Sequence, residues 1–239
     1  MHIAVAGNIG AGKTTLIKKL IEEVLGTEKV VLIENEYGEV GIDGGFLKDS
    51  GIEITEMNSG CICCTLVGDF VTSIKEIMDR FSPDRIIIEP SGVGKLSDVM
   101  AAVIGLEKDM DLKLDSLATV VNVLSFKKQK SSFGEFFSNQ IEHATTVIMS
   151  RTQSAEDEKV ESCMEMIKEL NPKAAVITTP WEDISGEKIL SVMEGRDNLE
   201  MKTLAMAHHE HDSKEHEHHH HHHHEHPECE CHHGEHHHE

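Results

Sequence analysis

Residues 2–20 read HIAVAGNIGAGKTTLIKKL, and the order of residue types along this stretch decides the fold. A short apolar run, HIAVAG, has the character of a first strand. Gly7–Thr14 then fits G-x-x-x-x-G-K-[ST], and Leu16, Leu20, Ile21 and Val24 follow at helical spacing. Strand, glycine-rich loop and helix in that order are the setting a phosphate-binding loop requires. Glycines let the backbone close round phosphates with its N–H groups pointing inward, and the helix start adds its positive dipole end. Lys13 is expected to reach the β- and γ-phosphates and Thr14 to offer its hydroxyl to Mg²⁺. Asn8, Gly10, Ala11, Gly12 and Thr15 complete the expected nucleotide-binding set.

Outward from this element, short β-rich runs alternate with helical patterns. Strands are expected over 2–7, 29–35, 52–57, 85–90, 117–123, 146–150 and 174–179, several of them continuous Val/Ile runs of the kind buried on both faces. Helical patterns lie between them, including 156–170 with an acidic first turn and one near 185–194. The fold class is therefore α/β, a P-loop NTPase with a mostly parallel sheet flanked by helices. RIIIEPSG (85–92) is its natural second element, an apolar strand ending in an acid at the carboxyl edge where open α/β sheets bind ligands. Glu89 is expected to hold Mg²⁺ through water or to orient an attacking water.

The chain carries a formal net charge of −21. From His208 onward nine carboxylates and one lysine leave the tail at −8 and the body at −13. A body this acidic is poorly matched to a phosphate backbone, which argues against nucleic acid as the main partner. No apolar run reaches the roughly 20 residues that span a bilayer, so no membrane partner is expected. MHIAVAGNIGAGKTT has neither a basic start nor a long apolar stretch, so it reads as a first strand and not as a signal peptide. The expectation is a cytoplasmic protein with reduced cysteines.

Two segments stand apart from the nucleotide-binding pattern. NSGCICCTL (58–66) crowds Cys61, Cys63 and Cys64 into four residues, just before a helical stretch near Leu66. Structural cystines, a buried apolar turn, a redox pair and a metal site all compete for this cluster. Three close thiols in a reduced compartment favour a soft or borderline metal. Cys61 and Cys63 can chelate together, and Cys64 joins only if the loop curls. A fourth ligand is sought in ENEYGEVGID (34–43), with Glu36 first. The other segment is the last part of the chain. Residues 1–205 form the expected nucleotide-binding domain, and 206–239 a His/Cys-rich tail holding seventeen of the nineteen histidines. The tail cannot bury a core and is expected to be disordered without metal. An expression tag is the bland alternative, but histidines flank the His218–His224 run on both sides and a Cys-Glu-Cys follows it. The metal-binding reading names His208, His209, His211, His226, Cys229, Cys231, His232 and His233.

GNIGAGKTT, ENEYGEVGID, NSGCICCTL, IIIEPSG and, less closely, NQIEHATTVIMSR together resemble the CobW-like branch of P-loop GTPases, kin to those that insert nickel into hydrogenase and urease. The resemblance spans most of residues 1–151 and rests above all on Gly-Cys-x-Cys-Cys. It implies a nucleotide-dependent metallochaperone using GTP, or ATP, with Mg²⁺. Cys61, Cys63 and Cys64 would be ligands to a transferable Zn²⁺, Ni²⁺ or Co²⁺, delivered to a client apo-metalloprotein. It also implies a γ-phosphate-sensing loop over 36–43. The sequence alone marks no arginine as a finger, so slow hydrolysis is expected, accelerated by a client or by a nucleotide- or metal-dependent homodimer. Three departures accompany it. The family's Asn-Lys-x-Asp guanine motif is replaced by Ser150–Gln153, and Gln153 offers one carbonyl acceptor where a carboxylate accepts from both N1 and N2 of guanine. Arg151 keeps an aliphatic stem that can stack on the base. Asn122 stands where relatives commonly show aspartate, and the tail stands where many carry a second domain. Two other readings are a metal store with a non-hydrolysing nucleotide module, and an ATP-dependent iron–sulfur carrier, although Asn8 and Ile9 do not supply the extra loop lysine usual in the latter.

Overall fold

The computed structural model describes residues 2–8, 12–34, 53–56, 67–90, 92 and 94–195. Their element order is β1 (His2–Asn8), α1 (Lys13–Glu23), β2 (Val30–Glu34), β3 (Glu53–Glu56), α2 (Val67–Phe81) and β4 (Arg85–Glu89). There follow α3 (Leu96–Leu106), β5 (Lys113–Asn122), α4 (Phe126–Glu142), β6 (Thr146–Ser150), α5 (Asp157–Leu170), β7 (Ala175–Ile177) and α6 (Gly186–Met193). The seven strands form one sheet in the order β3-β2-β4-β1-β5-β6-β7. Every pairing is parallel.

A parallel sheet is stable only with both faces covered, and the strand residues divide between the faces with period two. Val31, Ile33, Ile86, Ile88, Val121, Val147 and Met149 join one core with Ile74 and Ile77 of α2, Val99 and Val103 of α3, Phe137 and Ile141 of α4, and Ile167 of α5. Phe126 and Phe137 meet there edge to face, with ring centroids 4.9 Å apart. The intervening Leu32, Ile87, Val120 and Ile148 are equally buried, as alternation requires of the opposite face. Leu16, Ile17, Leu20 and Ile21 make the buried stripe of α1, and the N–H of Gly186 at the start of α6 donates to the Glu23 carboxylate at the end of α1.

The strands fall where the apolar runs place them, save that β5 starts at Lys113. Lys113, Leu114, Asp115 and Ser116 break the apolar continuity that marks Leu117 as a start. They extend the strand because β1 supplies a partner along its whole length, with a register shift between Ile3 and Ala4. Asn122 ends β5, and its side-chain oxygen accepts from Leu124 N–H at 2.9 Å, capping the 3₁₀ turn Val123–Ser125. Its local role is thus a cap, one that an aspartate fills equally well. Cys163 is a buried helix residue whose Sγ lies 3.8 Å from the Val123 carbonyl, and burial pushes its thiol pKa up.

No helix among the described residues is long and apolar enough to cross a membrane.

Candidate functional site

Because all strands run the same way, β1, β4, β5 and β6 end at one edge. β1 ends at Asn8 and sits between β4 and β5, so the acid closing β4 falls beside the end of β1. Gly12 precedes α1 with φ 107°, a left-handed conformation that only glycine adopts cheaply. Its carbonyl accepts from Leu16 N–H at 2.9 Å and opens the helix.

Lys13 is the first residue of α1 and is 6% exposed. Its Nζ lies 2.8 Å from Oε1 of Glu89, itself 4% exposed. The other Glu89 oxygen, Oε2, is buried with no hydrogen-bond partner among the described residues. An unpartnered buried acceptor costs about 1–3 kcal/mol, so a donor or cation belongs there. A hard carboxylate oxygen in that position fits Mg²⁺ or a water bound to it. Thr14 follows on the first turn of α1, half-buried, and Thr15 is exposed.

The segment leaving β4 is tied down from α4. Gln140 is fully buried and its Nε2 donates to the Gly94 carbonyl at 2.8 Å. The Gln140 carbonyl in turn accepts from Thr119 Oγ1 of β5 at 2.7 Å. Next to it, the Asn139 carboxamide donates to Ser97 Oγ at 3.1 Å and accepts from Ser97 N–H at 3.3 Å. The chain after Glu89 is therefore anchored at Gly94 and again where α3 begins. Sequence reading passed over Gln140, although an amide between the buried Phe137 and Ile141 was the available signal.

On the other side of β1, Ser150 closes β6 with its Oγ donating to the Val121 carbonyl at 3.2 Å. Arg151 follows in a left-handed conformation, φ 61°, and is exposed, as is Gln153. Trp181, also unmarked by sequence reading, approaches from the turn after β7, where its indole N–H donates to the Met149 carbonyl at 3.1 Å.

Lys13, Thr14, Thr15, Glu89 and Arg151 are thus all borne by the carboxyl edge, and Lys13 and Glu89 meet. The side chain of Asn8, together with Gly10, Ala11, Glu36, Cys61, Cys63, Cys64 and the tail ligands His208, His209, His211, His226, Cys229, Cys231, His232 and His233, lies outside the described residues. Among the described residues no group of three His, Cys, Asp or Glu side chains gathers round a metal position.

Known proteins resemble this chain in sequence and in fold. The chain is 38% identical over 125 residues to the zinc chaperone CobW of Sinorhizobium, covering 49% of this chain and 35% of that protein. It is 27% identical over 184 residues to the zinc chaperone YjiA of Escherichia coli, covering 74% and 57%. The chain thus spans between about a third and somewhat over half of these relatives. Among solved structures, Zn(II)-bound YjiA GTPase from E. coli superposes with a TM-score of 0.60 at 20% identity, over 83% of this chain and 63% of that one. The hydrogenase maturation factor HypB from Archaeoglobus fulgidus gives 0.57 at 19%, over 82% and 89%. Both likenesses are of fold, and the fold is that of P-loop NTPases. The family model described as "CobW/HypB/UreG, nucleotide-binding domain" matches residues 1–178, well over half of the sequence, and the chain belongs to that family of P-loop GTPases.

Proposed function

We propose that the chain is a nucleotide-dependent metallochaperone that loads a divalent metal at Cys61, Cys63 and Cys64 and passes it to a client apo-protein when its nucleotide state changes. The observation that carries the nucleotide half is the buried Lys13–Glu89 pair at 2.8 Å, at the edge where β1 and β4 end together. Without nucleotide the two charges neutralise each other. A triphosphate gives Lys13 a competing anion and releases Glu89 toward the cation side. Thr14 and Glu89 would hold Mg²⁺, which when bound neutralises charge on the transferring phosphate. Lys13 and the loop N–H groups that the motif supplies would orient that phosphate, and Glu89 or a water on it would align the attacking water. Positioning and charge stabilisation are all such a transfer needs from the protein, which is consistent with slow turnover.

The metal half rests on the cysteine cluster, with Glu36 as a fourth ligand, and on the relatives, several of which are zinc chaperones. Zinc is therefore the first cargo to test, with nickel and cobalt next, since thiolate and imidazole donors serve all three. The domain is proposed to end near residue 205, with 206–239 as a metal-collecting tail. A homodimer and a cytoplasmic setting belong to the same reading.

The test is a Zn²⁺ competition titration of the full chain against the variant with Cys61, Cys63 and Cys64 all changed to Ser, with and without Mg²⁺ and a non-hydrolysable GTP analogue. The proposal expects a tight site that the triple variant lacks and whose affinity changes with nucleotide. A cysteine-dependent site indifferent to nucleotide would refute the coupling and favour metal storage.

A further inference from the structure

Trp181 is the only tryptophan of the chain. It is half-buried, and its indole N–H is held by the Met149 carbonyl at the end of β6. The benzo edge of the same ring faces Gly12. A Cβ added to Gly12 would stand 2.9 Å from Cη2 and 3.3 Å from Cζ3 of Trp181, and 3.6 Å from Ser150 Cβ. One aromatic ring thus joins the last glycine of the loop to the strand end from which Arg151 and Gln153 continue.

The direction of a bound nucleotide follows from the sheet. Lys13 and Glu89 mark the γ-phosphate end, on the β4 side of β1. Ribose and base must leave the loop the other way, toward β5, β6 and β7, and Trp181 and Arg151 stand on that side. At the position of the guanine-reading carboxylate the chain has Gln153. A carboxamide carries one acceptor and one donor group, so it rewards adenine no less than guanine. Stacking, by contrast, takes any base with a broad π-face.

We propose that Trp181 is the stacking wall of the base site, and that the chain holds purine nucleotides by stacking without the guanine preference of a carboxylate-bearing site. This rests on the nucleotide-binding reading above. As sole tryptophan, Trp181 also reports its own occupancy.

The test follows Trp181 emission of the full chain as GDP, ADP, CDP or pyrophosphate is added with Mg²⁺, then repeats binding by calorimetry with Trp181→Phe and Trp181→Leu. Both purines should change the emission and bind within about five-fold of each other, with CDP roughly ten-fold weaker. Trp181→Leu should weaken both purines roughly ten-fold or more and Trp181→Phe less, while pyrophosphate binds all three proteins alike. The inference is overturned if GDP binds about a hundred-fold tighter than ADP, or if Trp181→Leu leaves purine affinity unchanged. It is equally overturned if pyrophosphate weakens in parallel with the purines, since Trp181 then only buttresses Gly12. If the parent binds neither nucleotides nor pyrophosphate, the nucleotide reading itself falls and takes this one with it.

Discussion

Changing Glu89 to Gln keeps the size of the side chain at the end of β4 and removes its charge. Lys13 Nζ lies 2.8 Å from Glu89 Oε1, with the two side chains only 6% and 5% exposed. The ammonium of the variant is left buried without its counter-charge. Removing one partner of a buried pair costs about 3–5 kcal/mol. The amide oxygen can still accept from Lys13, which puts Glu89→Gln near the lower figure, about 3 kcal/mol. At about 2–4 °C per kcal/mol for a body of this size, the ligand-free variant should melt roughly 6–12 °C below the parent. GDP should then narrow the gap. In the parent a phosphate must first draw Lys13 away from Glu89, whereas in the variant Lys13 has no anion to leave. Thermal melts followed by circular dichroism, with and without GDP in EDTA, measure both effects. Lys13→Met is the control: it strands Glu89 instead, and GDP should not restore it. A ligand-free Glu89→Gln protein melting within about 2 °C of the parent, or equal protection of both by GDP, would refute the pairing of these charges.

Gly12→Ala forces a side chain into φ 107° and against Trp181 at 2.9 Å; a destabilisation of about 1–3 kcal/mol and loss of GDP binding are expected, read by melting and calorimetry. Arg85, 3% exposed, bonds Glu28 at 2.7 Å and pairs at 3.0 Å with Glu194, whose side chain is 4% exposed. Arg85→Met takes the guanidinium away from that buried carboxylate and should cost about 3 kcal/mol or more in urea unfolding. GDP affinity should survive it, because Arg85 starts β4 and Glu89 ends it. The Lys19 ammonium and then the Gly186 N–H hold the Glu23 carboxyl below its ordinary pKa. A lowered pKa contributes stability that is whole above the unfolded value and lost as pH falls through the folded one. Below about pH 4.5 the parent should therefore lose melting temperature faster than Glu23→Gln; parallel curves would show that the tie between α1 and α6 does not depend on this charge.

The frame was legible because its strands are buried on both faces and so read as unbroken Val/Ile runs, RIIIE and TVIMS among them. Lys13 and Glu89 were legible for a different reason. Lys13 opens the helix after the loop motif and Glu89 closes an apolar strand at the carboxyl edge, and only the strand order, with β4 beside β1, was needed to bring them together across 76 positions of sequence. Gln140 and Trp181 carry no such mark. Gln140 sits on a helix face that is otherwise apolar, and its role depends on which carbonyl the fold brings within 2.8 Å. Trp181 follows a three-residue strand, and its contact with Gly12 joins segments that no local pattern links. Side chains that act through a long-range neighbour leave only a residue type that looks out of place. At the base end of this site the residue out of place is Gln153, and its meaning changes once Trp181 is beside Gly12. A lost carboxylate read alone predicts weak binding, whereas read with an aromatic ring on the same side it predicts binding that no longer discriminates between purines. Affinities for GDP and ADP that are both weak would favour the first, and affinities that are both substantial and similar the second.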